Sequence, residues 1–228
     1  MPAVTLPHLP VTIPHGAQLS QSLFHAIEYG SLVLGAFGGA LAARRDRHYK
    51  YDFTGIVGLG LISGVGGGIA RDVLLGDGPP LALQNPLYLT LSIFGAVLAL
   101  FLGRVVGTRI LTLVMVVDAA GLALFAVAGS TRALAYGLGF LPALLLGVIT
   151  AVGGGSLRDV FSGKPPRIFG AGELYAIVAA ATSLLFLLLL RIRVPVGEAS
   201  AIATTAGFSM RILAVRFGWK TSAVDDLP

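Results

Sequence analysis

The 228-residue chain contains no cysteine, which excludes disulfides, thiol catalysis, iron–sulfur clusters and cysteine zinc sites and leaves the redox compartment open. Its four histidines, His8, His15, His25 and His48, are scattered without ligand spacing, so neither a metal centre nor a cofactor is expected. Charge is scarce too: Asp, Glu, Lys and Arg make up 12% of the residues, whereas a soluble globular domain carries roughly 25%. With 55% hydrophobic residues and a mean hydropathy of +0.86, a water-soluble enzyme core is ruled out. The Gly-x-Gly runs Gly58-Leu59-Gly60 and Gly137-Leu138-Gly139 lack the strand–helix context of a nucleotide site. No catalytic constellation is visible, and the chain is expected not to be an enzyme.

What is present is membrane-spanning material. Apolar runs cover 21–43, 54–75, 86–103, 110–129, 137–162, 173–191 and 199–217, and at roughly 20 residues per crossing they predict an all-α multi-pass membrane protein with seven transmembrane helices. The last run is the least apolar, since Arg211 interrupts it and Ala203, Thr204, Thr205, Ala206 and Gly207 form its centre; an interfacial amphipathic helix is the alternative there. Residues 1–20, with Pro2, Pro7, Pro10 and Pro14, read as an extramembrane lead-in and not a cleavable signal.

The formal charge of +5 fits cytoplasmic loops facing anionic lipid rather than nucleic acid. The densest basic run, Arg44-Arg45-Asp46-Arg47-His48-Tyr49-Lys50, is placed in the cytoplasm by the positive-inside bias. Alternating sides from there collects ten basic residues inside and three (Arg132, Arg191, Arg193) outside. The expected topology is a cell-membrane protein with the N-terminus outside and a cytoplasmic tail at 218–228.

Residues 60–79 laid over 147–166, an offset of 87, give eleven identities in twenty, including Gly66-Gly67-Gly68/Gly153-Gly154-Gly155 and Arg71-Asp72-Val73/Arg158-Asp159-Val160. A fainter echo pairs Glu28-x-x-x-Leu32-x-Leu34 with Asp118-x-x-x-Leu122-x-Leu124 at an offset of 90. The chain reads as repeat 1 (21–103), repeat 2 (110–191) and a seventh helix (199–217). Three crossings per unit make the second copy enter from the opposite side, the inverted-repeat arrangement of many transport proteins. The second and fifth runs should then face one another.

Three successive glycines cost a helix about 1 kcal/mol each relative to alanine and predict an interruption. Irregular backbone at membrane depth is tolerated where it is buried in protein or lines a water-filled cavity, and freed carbonyls there suit a partly dehydrated cation. The alternative is packing: Gly60, Gly64 and Gly68, matched by Gly147, Ala151 and Gly155, form a small-residue face that lets helices approach closely. Both are expected together.

Ionisable residues within spans face a bundle interior or water. The set is Glu28, Arg71, Asp72, Asp118, Arg158, Asp159, Glu173 and Arg211. Asp118, amid Val114 to Ala120, either faces a pore or pairs with an arginine of a neighbouring helix. Arg71 and Asp72 point about 100° apart on a helix, as do Arg158 and Asp159, so each is expected to bridge elsewhere, either pinning the kink or serving in ion contact or gating. For two of the set a plainer alternative stands beside this: Glu28 as an interfacial residue near the outer end of the first helix, and Glu173 as a residue favouring a helix N-terminus.

The doubled GGG-x-x-R-D-V-x-x-G signature in a three-plus-three-plus-one pattern resembles the prokaryotic members of the trimeric intracellular cation (TRIC) channel family, over residues 20–218. Bacterial relatives have also been labelled glycine transporters. The resemblance implies a homotrimer with an hourglass pore in each protomer, conducting potassium and, less well, sodium, around glycine motifs matched here by Gly66, Gly67, Gly68, Gly153, Gly154 and Gly155. The animal members' Lys-Glu-Val triplet is absent, and the fourth run carries Asp118 and no lysine, so phosphoinositide and voltage regulation are not implied.

The resulting expectation is a passive monovalent-cation channel. Vestibules meet at the glycines, where carbonyls and the hydroxyls of Ser63, Thr150 and Ser156 replace hydration and Asp118 supplies a cation-favouring potential. Bound metals are limited to transient potassium and sodium, and the other partners are membrane lipids. The rival is a secondary transporter of a small zwitterion such as glycine.

Overall fold

The computed structural model describes residues 17–221 except 47, 77, 106–109, 171 and 173. Most of the lead-in, residues 222–228 of the tail, Arg47, Arg109 and Glu173 lie outside the described residues. Among those described, eight α-helices follow one another: α1 (Ala17–Arg44), α2 (Phe53–Leu75), α3 (Leu81–Gln84), α4 (Pro86–Val105), α5 (Ile110–Ala135), α6 (Phe140–Phe161), α7 (Tyr175–Arg191) and α8 (Val196–Arg216), with a 3-10 turn at Arg167–Phe169. Three of them, α2, α5 from Met115 onward, and α6, are long and apolar enough to cross a membrane; Pro86–Leu102 and α7 are shorter apolar helices.

Local chemistry sets the helix ends. Asp52 caps α2, its Oδ1 accepting from the Gly55 N–H at 2.7 Å, a side-chain cap of the usual N-terminal kind. Gly76 closes α2 at φ 69° and Gly163 follows α6 at φ 68°; this left-handed geometry costs glycine nothing, and the two positions stand 87 residues apart. The fifth helix of the chain runs six residues beyond its expected end at 129. Thr131 Oγ1 donates to the Val127 carbonyl at 2.8 Å, and the Arg132 guanidinium lies 5.0 Å from the Tyr136 ring centre. The one-turn α3 was not expected from the sequence.

Helices α1, α2 and α4 pack as one group and α5, α6 and α7 as another, joined where α2 meets α6 and α1 meets α5. The two groups use equivalent contacts. A Cβ at Gly60 would lie 2.8 Å from the Ala96 Cβ and 2.9 Å from the Ala36 carbonyl oxygen, and one at Gly147 would meet the Ser183 and Ser130 hydroxyls and the Ala126 carbonyl oxygen. Close backbone approach of this kind is what small-residue faces provide in apolar surroundings, where dispersion and not hydrophobic exclusion drives association.

Helix α8 packs on α5 and α7. Ala199 and Ala203 share a buried cluster with Phe186 and Leu187, Gly207 abuts Thr182, and Arg211 stacks on Tyr175. The contacts descend α7 as they climb α8, so the two helices run antiparallel along their length.

Candidate functional site

The glycine triplets lie where α2 crosses α6. A Cβ on Gly67 would land on the Thr150 carbonyl oxygen, one on Gly154 on the Ser63 carbonyl oxygen, and one on Gly153 would lie 3.1 Å from the Gly67 Cα. The second and fifth runs do face one another, glycine against glycine. Contrary to the expected interruption, both helices remain α-helical through the triplets, so any kink is a bend within continuous helix and frees no stretch of carbonyls. The helix cost of the glycines is set against backbone-to-backbone contact. Gly68 and Gly155 differ from their neighbours, each having only its own helix's arginine Nη2 within reach of a Cβ, at 3.8 Å.

The hydroxyls divide similarly. Thr150 Oγ1 donates to Leu146 at 2.6 Å and Ser156 Oγ to Val152 at 2.8 Å, both back into their own helix. Ser63 is buried and borders a cavity.

The adjacent Arg–Asp residues pair with each other, against expectation. Arg71 Nε donates to Asp72 Oδ1 at 2.8 Å, and Arg158 gives Asp159 Oδ1 two bonds, at 3.1 and 2.8 Å. The 100° offset of their Cα–Cβ bonds is overcome because arginine's long flexible stem lets the guanidinium wrap back around the helix. Each aspartate uses its second oxygen on the chain beyond its helix: Asp72 Oδ2 accepts from Leu81 N at 2.9 Å and Asp159 Oδ2 from Arg167 N at 3.4 Å. All four residues are buried.

Two cavities flank the α2–α6 crossing. Both are small: the first, about 10 Å³, is bordered by Glu28, Ser31, Gly68, Arg71, Asp72 and Tyr88; the second, about 30 Å³, by Asp118, Gly121, Gly155, Arg158, Tyr175 and Ser63. Ten of these form five pairs at the two offsets: Glu28 with Asp118 and Ser31 with Gly121 at 90, and Gly68 with Gly155, Arg71 with Arg158 and Tyr88 with Tyr175 at 87. Glu28 is therefore no interfacial residue. It is buried, 3.9 Å from Arg71 Nη2, within hydrogen-bonding reach of the Tyr88 hydroxyl, and its Oε1 has no hydrogen-bond partner. Asp118 meets both of its alternatives: it borders the second cavity, accepts from the Tyr175 hydroxyl at 3.1 Å and lies 3.9 Å from Arg211 Nη2 on α8.

The tyrosines were missed in the sequence, although Leu87-Tyr88 and Leu174-Tyr175 repeat the same 87-residue offset as the glycines. Phe125, which borders both cavities, was missed as well.

Outside the helices, the Lys164 ammonium bonds Asp46, tying the chain after α1 to the chain after α6. That hydrogen bond, with those from the His48 and Tyr49 backbone N–H groups, holds the Asp46 carboxyl down to about 2. The contact puts the two loops on one side of the molecule.

Long apolar helices in an all-helical bundle are those of a multi-pass membrane protein. The fold is shared with a solved structure of a TRIC trimeric intracellular cation channel orthologue from Rhodobacter sphaeroides, at a TM-score of 0.79 and 33% identity over 87% of this chain and 100% of that one. A UPF0126 membrane protein of Deinococcus radiodurans is 38% identical over 69% of this chain and 72% of its own length. The UPF0126 inner membrane protein YadS of Escherichia coli K12 is 33% identical over 84% and 92% respectively. The family described as "Glycine transporter" matches residues 25–104 and 115–191, and the chain belongs to that family.

Proposed function

We propose that the protein is a passive, potassium-permeable cation channel whose path runs inside each protomer. The observation that carries this reading is the pair of cavities, one per repeat, each bordered by a carboxylate, a tyrosine, an arginine and the third glycine of a triplet, Gly68 in the first and Gly155 in the second. In this reading the sequence repeats are inverted in the membrane, seven helices cross it, the N-terminus is outside, and the assembly is a homotrimer like the channel whose structure it resembles.

A dehydrating cation needs oxygen ligands and a negative potential. The first cavity provides the potential: Glu28 and Asp72 stand against Arg71 alone, and Arg71 is committed to Asp72. In the second, Asp118 is offset by Arg211 and Arg158 by Asp159. Glu28, more than Asp118, is thus the surplus charge that favours cations. With the glycines packed on the Thr150 and Ser63 carbonyls, the crossing itself leaves no passage.

A second reading, a carrier for a small zwitterion such as glycine, is favoured by the family's description and by cavities that present a guanidinium beside a carboxylate. Planar-bilayer recording from purified protein under a potassium gradient, with glycine uptake in matched proteoliposomes, separates the two. Unitary currents reversing near the potassium potential are expected; saturable glycine uptake without unitary current would make it a carrier.

A further inference from the structure

The pseudo-symmetry of the two cavities is broken by the largest difference in side-chain size at one pair of positions. Cavity-bordering residues of α1 and α5 correspond at an offset of 90, and at that offset the counterpart of Phe125 is Gly35. Where one repeat carries a hydrogen atom the other carries an aromatic ring. The ring occupies the room the glycine leaves: a Cβ built on Gly35 would lie 2.8 Å from Phe125 Cε2, 3.2 Å from its Cζ and 3.3 Å from the Gly64 Cα on α2. Phe125 is 8% exposed, and it borders both the Glu28 cavity and the Asp118 cavity.

We infer that Phe125 is the hydrophobic barrier between the two cavities, a single ring whose displacement admits water and ions from one to the other. This rests on the channel reading and adds to it the residue that sets the closed state. An apolar constriction bars ions by excluding the water that hydrates them, and an aromatic ring at a narrow crossing is an effective form of it. A side chain at this point can move by a change of rotamer, whereas at the glycine crossing backbone touches backbone.

The test compares the full-length protein with Phe125→Leu, Phe125→Ala and Phe125→Trp, reading potassium flux in proteoliposomes, unitary conductance and open probability in bilayers, and elution and thermal midpoint in detergent. Flux is expected to rise several-fold in the order Trp, Phe, Leu, Ala, with open probability or unitary conductance following, although Ala loses thermal stability. A ring that only packed would lower the midpoint and leave flux unchanged. Should Phe125→Ala fail to assemble, Phe125→Leu, which keeps an apolar filling, decides alone. Wild-type conduction with equal flux from a well-assembled Leu variant overturns the barrier and leaves the channel reading intact; no potassium flux from wild type or any variant overturns both.

Discussion

The Tyr175 hydroxyl donates to Asp118 Oδ1 at 3.1 Å across 57 residues of sequence, and the guanidinium of Arg211, 3.9 Å from Asp118 Oδ2, lies over the same tyrosine ring at 4.9 Å. Three helices, α5, α7 and α8, are thereby joined through one carboxylate. Removing the hydroxyl with Tyr175→Phe keeps the ring under Arg211 and deletes only the hydrogen bond. A bond to a charged acceptor contributes about 1.5–3 kcal/mol, so the thermal midpoint in detergent should fall measurably. A double-mutant cycle with Asp118→Asn should show coupling of the same order.

Glu28 and Asp118 occupy corresponding places with different neighbours. Glu28→Gln should reduce the cation-to-anion permeability ratio, measured from reversal potentials in asymmetric potassium chloride. Asp118→Asn should alter that ratio less and stability more, since it breaks an ion pair with Arg211, whose side chain is 4% exposed. Loss of one partner of a buried pair costs about 3–5 kcal/mol; the 25% exposure of the Asp118 side chain places this case toward the lower end. Equal ratios in wild type and Glu28→Gln would remove Glu28 from the ion's path.

At the helix crossing the glycines are not interchangeable. Gly67→Ala and Gly154→Ala each drive a methyl into a backbone carbonyl oxygen, and overpacking of this kind costs about 1–3 kcal/mol. Gly68→Ala has only the Arg71 Nη2 at 3.8 Å to meet and gains helix propensity, so it should be neutral or stabilising. Thermal unfolding of the three variants side by side is the measurement, and flux should be lost in the first two while the third conducts.

The Asp46–Lys164 link should give a pH-dependent contribution to stability. The Asp46 carboxyl is lowered from 3.8 to about 2, so the folded state binds its proton more weakly than the unfolded one. The contribution is complete above about pH 4 and is lost as the pH falls through about 2. The thermal-midpoint advantage of wild type over Lys164→Gln should be present at neutral pH and shrink across that interval. Because the Lys164 side chain is 41% exposed, solvent screening keeps the advantage small.

The linear order of residues was enough for the helical class, the duplication and the meeting of the two glycine triplets, because hydrophobic run length, repeated spacing and missing side chains act locally or by symmetry. It also announced that Glu28, Arg71, Asp118 and Arg211 could not face lipid. It did not disclose which of them meet. Arg71 closes on the adjacent Asp72, Asp118 finds Arg211 from a helix outside the repeats, and Tyr88 and Tyr175 complete the two carboxylate sites. Such choices depend on the rotation of each helix about its axis and on side-chain rotamers, which spacing does not encode. The continuity of α2 and α6 through three glycines each was decided in the same way, by packing that holds a poor helix-former in place. Only the folded chain set Phe125 against Gly35, because the room for the ring is created by one helix and filled from another.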